Sequence, residues 1–144
     1  MIEQDTIRLM RQCGFGIKMG VSAIDQVYDN VCADQFKIAL NSCRSAHVKL
    51  GNELSGLLNE YGQKEMEPSP MLQKMSKIKT NMSLAMDDSD KGIADLLTDG
   101  CNMGIKNLNS YLNKYKAADE RSKDITKRLC ELEQKLVIDM RPYL

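Results

Sequence analysis

The chain contains one imidazole, His47. It falls on a run of apolar residues, Phe36, Leu40, Cys43, Leu50 and Leu54, that recurs in steps of three and four. A histidine so placed has two uses: it can ligate a metal through a ring nitrogen, or it can sit at a core edge, hydrogen-bonded to a tyrosine or a backbone carbonyl. The second is commoner and is preferred. Sulfur is plentiful, with five cysteines and ten methionines. Cys13, Cys32, Cys43, Cys101 and Cys130 are odd in number and lack the C-x-x-C spacing of zinc and redox sites. Reduced, mostly buried thiols are therefore expected. There is no Ser-His-Asp order and no glycine-rich phosphate loop following a strand, so nucleotide and hydrolase readings lapse. Tyr111 and Tyr115 stand one turn apart beside Asn107 and Asn113; they either line a polar pocket or, more commonly, make a helix contact with hydroxyls at its rim.

The elements that must position these residues read as helices. Aromatics are scarce and Trp is absent, which suits helix better than strand. A first series runs Ile7, Met10, Gly14, Ile17, Val21, Ile24, Tyr28 and Val31. Asp34 offers an N-cap oxygen, and a second series follows through Phe36, Leu40, Cys43, His47, Leu50, Leu54, Leu57 and Tyr61, with Gly62 as C-terminal cap. The short link at 32–34 makes these an antiparallel hairpin of about 40 Å. Pro68 and Pro70 break the chain before a shorter segment with Met71, Met75, Ile78, Met82 and Met86 at helical spacing. The run Asp87-Asp88-Ser89-Asp90 suits a helix start, and leads into Ile93, Leu97, Gly100, Gly104, Asn107 and Tyr111. Asp119 caps a last series, Ile125, Leu129, Leu132, Leu136 and Met140, which Pro142 stops.

A chain of 144 residues is in the single-domain range, and residues 1–144 are expected to form one domain. Twenty basic residues balance twenty acidic ones, so no global field draws the chain to nucleic acid, and a nucleic-acid partner is not expected. The start Met1-Ile2-Glu3-Gln4-Asp5 is acidic where a secretory signal is basic, and no stretch reaches the roughly 18 apolar residues of a membrane span. A cytoplasmic location is expected. The methionine stripe of the shorter segment, with Lys74, Lys77 and Lys79, has the pattern of a membrane-surface or partner-binding helix; packing on the long helices, with the lysines solvated, is preferred to membrane contact.

Two long helices, a shorter one and two long helices, with tight turns inside each long pair, make an all-α four-helix bundle with a crossover. This order resembles the ferritin-like superfamily over essentially the whole chain, including several small bacterial families. The resemblance is one of architecture. A local echo supports a repeated hairpin: Gly16-Ile17-Lys18 recurs as Gly104-Ile105-Lys106, with Ser22 and Ser110 also matching. Gly16 with Gly20 and Gly100 with Gly104 are each four apart, at about 1 kcal/mol per glycine relative to Ala. They either clear space for a ligand or make a plain small-residue helix contact, and the contact is preferred.

The resemblance implies a place for a metal. Such bundles bind two iron or manganese ions through a Glu from each of two helices and a Glu-x-x-His pair from each of the other two. His47 falls where such a histidine belongs, but Arg44 stands where its Glu belongs. Superposing the second and last long helices sets Arg44 with Glu133 and His47 with Leu136, so that half has the Glu and no His. His47 and Glu133 are the metal-ligand candidates that remain. Equal counting across the turns places the His47 layer near Met19 and Gly20 and the Glu133 layer near Met103 and Gly104, without a carboxylate. A softer set, Met19, Cys43, His47 and Met103, would suit Cu(I), although methionine at helical spacing is usually core. No cofactor is expected. The favoured expectation is a non-catalytic ferritin-like bundle acting through helix-face contacts with a partner protein or as a homodimer. The competing one is a metal-binding or oxidoreductase protein with an unconventional site around His47.

Overall fold

A computed structural model describes residues 2–64 and 87–144. The methionine and lysine stripe expected over 71–86 lies outside the described residues. Among the described residues there are four long helices: α1 (Ile2–Val27), α2 (Asp34–Glu60), α3 (Asp90–Lys114) and α4 (Glu120–Met140). Short 3-10 turns follow α1 at Tyr28–Asn30 and α4 at Arg141–Tyr143. Among the described residues there is no strand, and no helix is long and apolar enough to cross a membrane.

Hydrogen bonds at the two ends fix the direction of each helix. The amides of Cys32 and Ala33 donate to the two carboxylate oxygens of Asp90 at 2.8 and 2.9 Å, which brings the α1–α2 turn to the start of α3. At the other end Tyr61 donates to Asp119 at 2.7 Å, the Asp119 amide donates to Thr6 Oγ1 at 2.8 Å, and the Ala117 amide donates to Asp5 at 3.2 Å. Thus α1 and α4 run one way and α2 and α3 the other. α2 ends at the opposite end of the bundle from the one where α3 begins. α1 packs on α2, α3 and α4, and α4 also packs on α2 and α3, so α1 and α4 meet across the interior.

Local chemistry explains most helix ends. Ser89 and Asp119 are N-caps whose side chains accept from the amides of Gly92 and Ser122. Gly62, at φ +67°, closes α2: its amide donates to Asn59 O and the Gln63 amide to Leu58 O, the paired bonds of a Schellman ending that favours glycine at this position. The expected Asp34 cap is corrected. Ala33 is the N-cap and makes no side-chain bond; Asp34 is the first helical residue, where its charge still favours the positive helix end, and the turn amides are served by Asp90.

The buried side of α2 follows the expected series through Leu54 and then takes Leu58 in place of Leu57. α1 also buries Leu9, Cys13 and Val27, because a helix packed on three others hides more than one stripe. On α3 the inward residues are Leu97, Cys101 and Leu108, while Gly100 and Asn107 are exposed. The apolar interior is split. One cluster gathers Ile24, Phe36, Leu40, Cys43, Ile93, Leu97, Cys101, Leu136 and Met140, with the Tyr143 ring stacked 4.5 Å from Phe36. Another gathers Met10, Cys13, Ile17, Leu50, Leu54, Leu108, Ile125, Leu129 and Cys130.

Candidate functional site

The gap between the two clusters falls at one level on every helix: after Ile17 on α1, between Cys43 and Leu50 on α2, between Cys101 and Leu108 on α3, and between Cys130 and Leu136 on α4. At that level stand Gly20, His47, Gly104 and Glu133. His47 Nε2 lies 2.9 Å from Glu133 Oε1, and the side chains are 1% and 12% exposed. The structure therefore joins the two sequence candidates directly, across the seam of α2 and α4.

Each helix serves this layer differently. α2 supplies the ring and orients it, since Nδ1 sits 2.8 Å from the Cys43 carbonyl one turn back. A carbonyl only accepts, so Nδ1 carries a proton and donates. Cys43 Sγ lies 3.5 Å from the same nitrogen. α1 supplies room: a Cβ on Gly20 would stand 3.0 Å from both Cδ2 and Nε2 of the ring and 3.6 Å from Glu133 Oε1. α3 supplies Gly104, whose Cβ would be 3.9 Å from Glu133 Oε2, and Cys101, buried in the cluster beside this level. The expected level of Gly20 and Gly104 is observed, but these glycines receive side chains from α2 and α4. Gly16 likewise faces Leu129, and a Cβ on Gly100 would meet nothing within 4 Å.

The electrostatics follow. Burial pushes the imidazole pKa down, but the hydrogen bonds to Cys43 and Glu133 and the Glu133 charge outweigh it and bring it up to about 10. At neutral pH the ring is an imidazolium facing the Glu133 side chain. Burial also raises the Cys101 thiol, and the Glu133 charge raises it further. Burial takes Cys13 up to about 12 and raises Cys130. Protonated thiols are poor nucleophiles. Cys32 is the exposed cysteine.

These residues do not fit the paired-metal arrangement. Two of the four helices offer glycine at the level where ligands are required, Nδ1 is committed to a carbonyl, and Nε2 faces Glu133. Among the described residues no three His, Cys, Asp or Glu side chains converge as an ion site. Arg44 does not enter the interior: its guanidinium turns outward and binds Asp25 of α1 at 2.6 and 3.2 Å. The soft set is not assembled either, because Met103 is 59% exposed. Tyr111 and Tyr115 stack with centroids 6.3 Å apart beside buried Leu9 and Ala118, with Asn107 and Asn113 outside; the helix-contact reading describes them.

Sequence reasoning missed the His47–Glu133 contact itself. The signal was partial: His47 is the one polar residue within the α2 series, and Glu133 stands one turn after Leu129 and one turn before Leu136 on α4. A groove of about 570 Å³ between α1 and α2, lined by Gly14, Ser22, Val48, Gly51, Asn52 and Ser55 among others, was not anticipated.

The fold and the site define an all-helical four-helix bundle with a polar layer at its middle. No protein-family model matches the chain, no curated protein matches it and no solved structure matches it.

Proposed function

We propose that this chain is a non-catalytic, ferritin-like helical bundle that acts through contacts of its outer helix faces with a partner protein, a second copy of itself included. The observation that carries this reading is the closed bonding of His47. With Nδ1 given to the Cys43 carbonyl and Nε2 to Glu133, the interior position where a ferritin-like protein holds its metal is filled by an internal ion pair. The raised thiol pKa values of Cys13, Cys101 and Cys130 also argue against nucleophilic chemistry in the core. Ile38, Met103 and Ile138, each more than half exposed, give the outer faces apolar points for contact.

Elemental mass spectrometry of untagged protein tests this reading. Well below one metal per chain is expected. Iron or manganese at one or more per chain, lost in His47→Ala, would establish the metal-binding or oxidoreductase alternative instead.

A further inference from the structure

We infer that the His47–Glu133 pair is a register lock between the two helical hairpins, one that holds α2 and α4 in a single alignment. The inference does not depend on what the outer faces bind.

Every cross-link along the α2–α4 seam reports the same antiparallel register. Tyr61 meets Asp119, Glu60 meets Arg121, Glu53 meets Arg128 and His47 meets Glu133. The ion pairs at Glu60 and Glu53 are about half exposed and hold weakly. The interior residues are interchangeable in kind. After a slide of one helical turn, the apolar residues of α2 would still face apolar residues of α4, or Ser122 and Thr126, whose hydroxyls are bonded to their own backbone. His47 alone would then face Leu129 or Leu136, and Glu133 would face Cys43 or Leu50, each leaving a buried group unbonded. Such groups are strongly disfavoured in an apolar interior.

The layer carries the marks of a specificity device. A buried ion pair adds little net stability compared with well-packed apolar residues, and its best-attested use is to fix register. Here it also requires Gly20, whose missing side chain admits the ring, although glycine weakens a helix interior. The pair sits between two apolar clusters that place no such demand on alignment. Because the turns inside each hairpin are short, the remaining freedom is the relative slide of the hairpins, which Asp90 and Asp119 oppose at the exposed ends and the His47–Glu133 pair opposes in the interior.

The test compares amide nitrogen–proton NMR spectra and light-scattering masses of wild type, Glu133→Gln and the double variant His47→Leu/Glu133→Leu. Wild type and Glu133→Gln, which keeps a hydrogen bond to Nε2, should each give one cross-peak per amide and one mass. The double variant should fold, melt no lower than wild type, and show extra cross-peaks for α2 and α4 or a fraction of exchanged dimer. A double variant that gives a single set of peaks, or that fails to fold, overturns the inference, as do multiple sets in Glu133→Gln.

Discussion

Replacing the pair by His47→Leu/Glu133→Leu should remove a definite part of the dependence of stability on pH. In the folded chain the imidazole pKa rises from 6.5 to about 10. The folded state therefore holds a proton that the unfolded state has released across that window. By linkage, the contribution of His47 is fully present below pH 6.5 and is lost as the pH climbs through about 10. At 1.36 kcal/mol per unit, the rise from 6.5 to about 10 sets a ceiling of roughly 5 kcal/mol. Urea unfolding at pH 6, 8 and 9.5 measures it. Lysines, tyrosines and thiols titrate in the same range, so the informative quantity is wild-type stability minus that of the double variant. That difference should fall by on the order of 2 kcal/mol or more between pH 6 and 9.5. Curves that stay parallel, or a difference that grows with pH, would refute the buried imidazolium.

Other substitutions probe the elements that build the layer. Gly20→Ala should destabilise by about 1–3 kcal/mol, because its methyl would stand 3.0 Å from the His47 ring and the clash outweighs the helix-propensity gain. Gly56→Ala, whose Cβ meets nothing within 4 Å, should stabilise by about 0.5–1 kcal/mol; urea midpoints moving in opposite directions check both. Asp119→Ala removes the cap bond to the Ser122 amide and the Tyr61 contact and should cost about 1–2 kcal/mol, read from the same midpoints. With a thiol reagent, native protein should release the signal of Cys32 quickly and those of the four buried cysteines only on unfolding.

Much of the frame is legible in the residue order, because periodic burial and end chemistry are local. The α2 series from Phe36 to Leu54, Gly62 beyond that helix, and Asp119 and Pro142 around α4 all act where the sequence places them. The level of the polar layer was also legible, since short turns make residue counting a measure of height. The pairing inside the layer was not. Superposing α2 on α4 sets Arg44 with Glu133, but superposition describes a repeat, whereas contact depends on how two antiparallel helices face each other. Arg44 misleads for a further reason: its long side chain reaches outward to Asp25, so its position one turn before His47 says little about the interior. On α3 the series drifts at Gly100 and Asn107 because Cys101 and Leu108, each one residue later, bury more apolar surface. Asp34 fails as a cap because Asp90, distant in sequence, serves the same turn.

The protonation of the His47 ring sets the charge of the interior layer, and a chain with one histidine lets it be seen without assignment. Long-range nitrogen–proton NMR of the uniformly labelled protein at pH 8 should show one imidazole with both nitrogens protonated, although an unperturbed histidine would be mostly neutral there. A ring with a bare Nε2, whether neutral or shifted by a bound metal, would contradict the ion pair and with it the account of the bundle's interior.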